Sequence, residues 1–189
     1  IMKEKTAKKE EVVFAMNAGM FDPQQRPVGL FIAGGKTLRP INLNTRGTGN
    51  FYDLPPNGIF AIDNKNVPLV VASDKYAPIE KSRKIRLATQ SGPMLVEDGL
   101  INPGFQKGST NLNIRNGAGV NDKGLAVFAI SLDKVNFYEF SQLFRDALHC
   151  PDALFLDGFL SQWFVPSVHE PDVDIPLGTI LAVTKSQKP

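Results

Sequence analysis

Short turn signals recur along this chain, and each of them separates two runs of β-prone apolar residues. Gly34-Gly35 stands between Val28–Ala33 and Lys36–Ile41, and a two-residue glycine connection of this kind favours a tight β-hairpin. The same arrangement recurs in three further pairs of runs: Ile59–Ile62 with Leu69–Ala72, Met94–Val96 with Leu100–Ile101, and Gly119–Val120 with Leu125–Ile130. The residues between these runs accept left-handed backbone angles. The sequence therefore predicts a fold rich in β-hairpins.

Three other segments are continuously apolar, which is typical of strands buried on both faces. They are Val12–Met16, Ala153–Leu156 and Thr179–Val183. We expect them to lie centrally in the sheet. With the hairpins around them, they predict a mixed, hairpin-rich β-sheet.

Helical periodicity indicates one main helix over 138–149, which ends before Pro151 because proline cannot continue a helix. Its predicted buried stripe repeats at i, i+3, i+4, i+7 and i+8 and consists of Phe140, Leu143, Phe144, Ala147 and Leu148. A second, charged helix is predicted over residues 3–11. The fold class is therefore α+β, with one main helix packed on the sheet and a single domain over residues 1–189.

Composition excludes several classes of protein. Hydrophobic residues make up 42% of the 189 residues and the net charge is only +2, so we expect a packed core and no nucleic-acid partner. The sequence contains no run of eighteen apolar residues, so no transmembrane helix is predicted. Cys150 is the single cysteine, and no cysteine–histidine cluster has zinc spacing. Because Ile1 is not an initiator residue, we expect a leader or upstream segment to have been lost. Oligomeric state stays open.

Five polar corners next to glycine adjoin the predicted apolar strands. Each corner alone is typical of a turn, but strand ends followed by such residues commonly present side chains to a ligand. Together they predict one cleft at the strand ends. The corner residues are Asn17, Asn57, Gln90 with Ser91, Arg115 with Asn116, and Asp157.

Other polar features have ordinary structural explanations. His149 stands at the predicted helix end, where a capping role is favoured over catalysis. The acidic stretch Glu170–Asp174 is either a solvated loop or a calcium site, and its spacing does not match an EF-hand loop. Lys81, Arg83, Lys84 and Arg86 form a basic patch that either attracts anionic glycans or is simply solvated.

At the five corners the chain resembles the phosphodiester glycosidase family. The likeness is closest to the small bacterial, exopolysaccharide-biosynthesis-type branch, which is related to the catalytic domain of the mannose-6-phosphate uncovering enzyme. The matching segments run in family order and are FAMNAGMF (14–21), VGLFI (28–32), PNGIFAI (56–62), ATQSGPMLVEDG (88–99), RNGAGV (115–120), VFAIS (127–131), VNFYEFSQLFRDALHC (135–150) and ALFLDGFLSQ (153–162). Phe159 and Leu160 replace two glycines of the enzyme-like branch, which implies a narrower pocket.

The resemblance implies hydrolysis of the glycosidic bond of a sugar phosphodiester in a bacterial envelope or polysaccharide setting, with a periplasmic or extracytoplasmic location. Arg115 and Asp157 are the catalytic candidates. Arg115 would hold phosphate through its planar guanidinium, and Asp157 would activate water or stabilise the oxocarbenium-like centre. The substrate-binding candidates are Asn17, Asn57, Gln90, Ser91, Asn116 and Ser161.

Two alternatives remain open from the sequence. The first is a non-catalytic carbohydrate-binding or cell-wall-binding module on the same scaffold, which would not need Arg115 and Asp157 in one cavity. The second is a metal-dependent phosphoesterase, which would need three or more carboxylates or histidines near Asp157. No cofactor is predicted, and a requirement for a divalent metal is left undecided.

Overall fold

The computed structural model describes residues 10–44, 46–47, 49–157, 161–168 and 178–186. Strands dominate the described chain. They are β1 (Glu10–Asn17), β2 (Phe31–Ala33), β3 (Lys36–Arg39), β4 (Gly58–Asp63), β5 (Pro68–Ala72), β6 (Ile85–Ser91), β7 (Met94–Glu97), β8 (Leu100–Ile101), β9 (Asn116–Val120), β10 (Ala126–Ile130), β11 (Asp152–Phe155), β12 (Trp163–Phe164) and β13 (Ile180–Ser186). The α-helices are α1 (Asn50–Asp53), α2 (Ala77–Ser82) and α3 (Phe137–Gln142), with a 3₁₀ turn at Ser73–Lys75 and a π-helical turn at Leu143–Ala147.

The strands form three sheets. One has the order β12-β1-β13, the second β10-β9-β11-β7-β8, and the third β3-β2-β6-β4-β5. Every pairing among the described strands is antiparallel. The predicted α+β class with hairpin-rich strands and one main packed helix is confirmed, and the strands are divided among three sheets.

The predicted hairpins are present, and their turn chemistry explains them. Gly34 and Gly35 both have positive φ, at 58° and 77°, as a type I′ turn between β2 and β3 requires. Asp98 and Gly99 repeat this pattern between β7 and β8, with φ of 50° and 78°. Local turn residues therefore fix the register of these strand pairs.

The main helix exists, but its buried face differs from the predicted stripe. Phe140 and Phe144 are 1% and 0% exposed as expected, whereas Leu143 is 37% exposed and Ala147 is also exposed. The α-helix ends at Gln142 and continues as a π-helical turn, in which the i→i+5 hydrogen bond adds one residue to the turn. Leu143 stands at the start of this turn and Ala147 at its end, and both are exposed, so this part of the prediction is wrong.

Helix α3 begins with a capping box that the sequence analysis missed. Asn136 Oδ1 accepts from Glu139 N at 2.9 Å, and the Glu139 carboxylate reaches back to Asn136 N at 3.4 Å. This reciprocal pair satisfies two amide groups at the helix start. The cap places the aromatic side chain of Phe137 over the sheet that contains β9 and β11.

Two further predictions are corrected at the chain ends. Glu10 and Glu11 belong to β1 rather than to a charged helix, because they pair with Ser186 and Lys185 of β13. Residues 3–9 lie outside the described residues. Strand β13 is partly exposed along its length, so it is not a strand buried on both faces. No helix within the described ranges is long and apolar enough to cross a membrane.

Candidate functional site

Two buried asparagines and a serine converge on one backbone carbonyl, and we call this group the amide cluster: Asn17, Asn116, Ser161 and the carbonyl of Asp157. Asn17 Nδ2 donates to the Asp157 carbonyl oxygen at 2.9 Å, and Asn116 Nδ2 donates to the same oxygen at 2.6 Å. Asn116 Nδ2 also lies 2.9 Å from Asn17 Oδ1 and 3.2 Å from Ser161 Oγ. Two amide donors on one carbonyl hold the main chain of Asp157 in place.

The ends of strands from two sheets bring the amide cluster together. Asn17 is the last residue of β1, Asn116 is the first residue of β9, and Asp157 follows the end of β11 by two residues. Asn17 Oδ1 also accepts from Gln162 N at 3.0 Å, which ties the chain after Asp157 back to β1. Both asparagines are 0% exposed. Their amides satisfy main-chain groups that the strand ends leave without ladder partners.

Two buried amide oxygens near this cluster have no hydrogen-bond partner among the described residues. They are Asn116 Oδ1 and Asn57 Oδ1. An unsatisfied buried acceptor costs about 1–3 kcal/mol. Each oxygen would accept a hydrogen bond from water or from a hydroxyl group of a polyol ligand.

Ser91 and Gln90 are adjacent in β6, but their side chains form hydrogen bonds in different parts of the fold. Ser91 Oγ donates to the Leu156 carbonyl at 2.8 Å, which joins Ser91 to the chain just before Asp157. Gln90 points away, and its Oε1 accepts from Leu30 N at 2.8 Å and from Asn42 N at 2.9 Å. Gln90 Nε2 donates to the Asn42 carbonyl and to Ser73 Oγ. The described contacts of Gln90 are therefore structural, and its predicted role in substrate binding stays a prediction.

Arg115 lies beside the helix rather than within the amide cluster. It is 2% exposed, its Nε donates to the Val135 carbonyl at 2.9 Å, and its Nη2 donates to the Asn111 carbonyl at 3.0 Å. The guanidinium carbon lies 3.6 Å from the centroid of the Phe137 ring and 5.7 Å from that of Phe155. These partners are neutral, so they orient the guanidinium without balancing its charge.

Burial affects the electrostatics of Arg115 directly. Desolvation lowers the pKa of Arg115 to about 10, because a low-dielectric environment disfavours the charged form. The side chain is still a cation at neutral pH. Asn111 and Phe137, which contact it, line a cavity of about 130 Å³ together with Ser109 and Tyr138. Arg115 itself does not line the cavity and is separated from it by these contacting residues.

The paired register of β11 and β9 runs towards Asp157 and Arg115 and ends before either residue. Phe155 pairs with Gly117, and Leu156 N donates to the Asn116 carbonyl at 3.2 Å. Asp157 and Arg115 each lie one residue beyond this last bond, outside β11 and β9. Their backbones therefore adjoin the same pair of strand ends, while the described contacts of the guanidinium are with Val135, Asn111 and Phe137.

The structure therefore groups the sequence-predicted residues into three sets. Asn17, Ser91, Asn116, Ser161 and the main chain of Asp157 form one hydrogen-bonded network. Asn57 adjoins it through Gly92, where an added Cβ would clash with Asn57 Oδ1. Arg115 contacts Val135, Asn111 and Phe137 beside the helix, and the Gln90 side chain contacts a different part of the fold.

Outside this network, other polar residues hold Gln90 and Arg115 in place, and sequence reasoning missed them. Asn42 and Ser73 hold Gln90, and Asn111 holds Arg115. Asn42 and Asn111 lie in the long glycine- and asparagine-rich segments 43–57 and 102–116 or next to them. Long loops of this kind are often functional, so their length marks these segments as candidates. Spacing alone does not identify the individual residues within them.

Part of the predicted chemistry falls outside the described residues, namely residues 158–160 after Asp157 and the acidic stretch Glu170–Asp174. His149 adopts a positive φ of 53° after the π-helical turn, and its carbonyl accepts from Asp122 N. Within the described ranges, no group of three or more histidine, cysteine or carboxylate side chains is arranged to hold a metal ion.

Comparison with known families decides the relationship. The family model described as NAGPA, phosphodiester glycosidase, matches residues 10–184. The chain belongs to the phosphodiester glycosidase family. This match covers all five predicted corners, so the family resemblance inferred from the motifs is confirmed.

Individual relatives agree with this assignment. An uncharacterized protein from Escherichia coli, YigE, is 35% identical over 175 residues, which are 93% of this chain and 66% of the relative. The catalytic domain of zebrafish N-acetylglucosamine-1-phosphodiester alpha-N-acetylglucosaminidase, described as auto-inhibited by its pro-peptide, superposes with a TM-score of 0.65 at 18% identity. That match covers 95% of this chain and 66% of the zebrafish chain. A hypothetical protein from Synechocystis gives a TM-score of 0.51 at 13% identity, covering 98% and 52%.

The chain thus spans about two thirds of the length of the first relatives it matches. The two structural matches establish a shared fold. The family assignment places this protein among hydrolases that act on glycosyl bonds, at the level of the family.

Proposed function

We propose that this chain hydrolyses a sugar phosphodiester at its glycosidic C1–O bond. Water forms the new bond to C1, the C1–O bond breaks, and the phosphate monoester leaves with the bonding electron pair. Asp157 takes the proton from water or stabilises the positive charge at C1. Arg115 holds the phosphate oxygens.

One observation carries the proposal: a desolvated guanidinium precedes β9 by one residue, and an acidic residue follows the end of the neighbouring strand β11. The Arg115 side chain is buried against neutral partners, so an incoming phosphate would supply the charge that balances it. Asp157 is held by its backbone carbonyl, and its carboxylate takes no part in those two bonds.

The leaving group explains why one carboxylate can suffice. Ordinary glycoside hydrolysis uses a pair of carboxylic groups, one of which protonates the departing oxygen. A phosphate monoester has a second pKa near 6, so it leaves without strong protonation. Phosphate binding by Arg115 therefore stabilises the leaving group and reduces the need for a general acid to protonate it.

The surrounding amides suit a sugar ligand. Asn116 Oδ1 and Asn57 Oδ1 are acceptors without described partners, and both lie close to the strand ends that carry Asp157 and Ser91. Sugar hydroxyls donate to such acceptors. We assign Asn17 and Ser91 to the support of this surface, because their described hydrogen bonds join the chain around Asp157.

We place this activity in bacterial envelope or polysaccharide metabolism, with an extracytoplasmic location. This part of the proposal rests on the resemblance to the exopolysaccharide-biosynthesis-type branch. Fractionation of cells that express the full-length protein tests the location, and a purely cytoplasmic distribution would contradict it.

Steady-state kinetics on a panel of sugar-1-phosphodiesters tests the reaction. Asp157→Asn keeps the backbone carbonyl and the size of the side chain, so we expect normal folding and a 10²–10⁴-fold loss of turnover. The exposed Asp74 provides the matched control Asp74→Asn, which should turn over substrate like the wild type. Glycan binding without turnover by the wild type would instead favour the non-catalytic binding module.

A further inference from the structure

A second cavity lies far from the amide cluster, at the opposite end of β6. It measures about 540 Å³ and is open to solvent between the β2–β3 hairpin, helix α2 and the start of β6. Strand β6 runs from Ile85, which lines this cavity, to Ser91, which contacts the chain before Asp157. Six residue steps of about 3.3 Å separate those ends by roughly 20 Å.

The lining of this cavity, which we call the hairpin cavity, is strongly cationic. Arg83, Lys84 and Arg86 line it against the single carboxylate of Glu80. Arg83 pairs with Asp63 at 3.7 Å, and Arg86 Nη2 donates to the neutral amide of Asn66 at 3.0 Å. Within the described residues, Lys84 and Arg86 form no ion pair with a carboxylate. The cavity therefore has positive charge that the described carboxylates do not neutralise.

A buried hydroxyl adds a second, independent observation. Tyr76 lines the hairpin cavity and is 1% exposed, and its phenolic oxygen has no hydrogen-bond partner among the described residues. Burial and the nearby charge of Glu80 raise the pKa of Tyr76 to about 12, so the phenol stays protonated and is available as a donor. A donor left unpaired beside three cations suits an acceptor-rich anion.

The backbone around the hairpin cavity is fixed by the sheet. Gly35 N donates to the Arg86 carbonyl at 2.9 Å, and Asn64 N donates to the Lys84 carbonyl at 2.8 Å. These bonds hold the hairpin turn and the Asn64 turn on either side of the basic residues. The carbonyl groups of Lys84 and Arg86, just before and within the start of β6, are consequently held by backbone hydrogen bonds.

We propose that the hairpin cavity is a second ligand-binding site, which takes an organic phosphate about the size of a monosaccharide phosphate. The cations recognise the phosphate oxygens, as Lys and Arg do in phosphate sites generally. The volume lies within the range of sites for small organic ligands and exceeds what a bare phosphate ion needs. The site is independent of the proposed hydrolysis, because it shares no residue with the amide cluster or with Arg115.

Isothermal titration with glucose 1-phosphate tests the proposal, with inorganic phosphate and glucose as comparison probes. Lys84→Gln should weaken glucose 1-phosphate binding by about tenfold or more, the worth of a charged hydrogen bond. Lys81 is exposed on helix α2, three residues before Lys84, and does not line the cavity, so Lys81→Gln is the matched control and should bind like the wild type.

Tyr76→Phe separates a ligand-binding role from a purely structural one. The hydroxyl has no described partner, so its removal should leave the melting temperature unchanged or higher, while binding should weaken by about threefold to tenfold. Asn116→Ala should not alter this affinity, which distinguishes the hairpin cavity from the amide cluster.

Several outcomes would overturn the proposal. Undetectable binding of glucose 1-phosphate would do so, as would equal affinity for neutral glucose. Equal affinity for inorganic phosphate would show that the sugar part of glucose 1-phosphate does not contribute to binding. Wild-type affinity in both Lys84→Gln and Tyr76→Phe would show that the phosphate binds elsewhere.

Discussion

Asn116 Nδ2 lies 2.9 Å from Asn17 Oδ1, and both side chains donate to the carbonyl oxygen of Asp157. Asn17 and Asn116 are 99 positions apart in the sequence, and Asn17 and Asp157 are 140 positions apart. The contact therefore forms only after the sheets have assembled. The pair converts two strand ends into one rigid support for Asp157. Its loss should therefore affect folding, whereas loss of the Asp157 carboxylate should affect chemistry.

Asn17→Ala should destabilise the fold by about 2–3 kcal/mol. The substitution leaves the buried Asn116 amide without one acceptor and Gln162 N without its partner, and each unsatisfied group is penalised. Chemical denaturation measures the free energy of unfolding. The exposed Asn64 provides a control, because Asn64→Ala should change stability by less than about 0.5 kcal/mol. Equal effects of the two substitutions would contradict a supporting role for the cluster.

Phe144→Ala should destabilise the fold by about 3–5 kcal/mol, as removal of a fully buried aromatic ring does. The ring is 0% exposed and packs over β9, where an added Cβ at Gly119 would approach Phe144 Cδ1 to 3.0 Å. Leu143→Ala is the matched control, and it should cost less than about 1 kcal/mol because Leu143 is 37% exposed. Equal losses in urea denaturation would mean that Leu143 contributes to the core as much as Phe144 does.

These helix residues show where sequence periodicity stops being informative. The repeat at Phe140 and Phe144 predicted the helix, and both residues are buried. The insertion of a π-helical turn depends on packing against β9 and β11, which no local pattern records. Gly34-Gly35 and Asp98-Gly99 were predictable because their turns depend on their own backbone angles.

In the candidate site, too, some features follow from the local sequence and others depend on the packing of the sheets. Polar residues next to glycine at strand ends predicted Asn17, Ser91, Asn116 and Asp157 as neighbours, and they are joined in one network. Gln90 was grouped with Ser91 because they are adjacent in sequence. Successive residues of a strand project to opposite faces, so only knowledge of the sheet order could show which of the two meets Asp157.

Arg115→Lys should weaken both folding and phosphate binding. The guanidinium makes separate bonds to the Val135 and Asn111 carbonyls, and one ammonium cannot reproduce this planar geometry. We expect a stability loss of about 1–3 kcal/mol and a higher KM for a sugar phosphodiester, with a smaller change in kcat. Arg39 is exposed on β3, so Arg39→Lys should leave all three quantities unchanged. A lower kcat at constant KM would assign Arg115 to the transition state alone.

Cys150 should make stability depend on pH in the alkaline range. Burial raises the pKa of its thiol from 9.0 to about 11, since desolvation disfavours the thiolate. Between those values the unfolded chain has lost a proton that the folded chain retains, so rising pH favours unfolding. The contribution is complete below pH 9 and is lost as the pH rises through about 11. Two pKa units correspond to about 2–3 kcal/mol.

Thermal melts of the wild type and of Cys150→Ala from pH 8 to pH 11 isolate this contribution. The substitution removes a buried side chain that is 1% exposed, so the variant should melt at a lower temperature at pH 8. The gap between the two proteins should then narrow as the pH rises above 9, because only the wild type carries the thiol. All other side chains are the same in both proteins, so their contributions cancel in the difference. A constant gap across this range would show that the thiol ionises equally in the folded and unfolded chains, and that Cys150 contributes through packing alone.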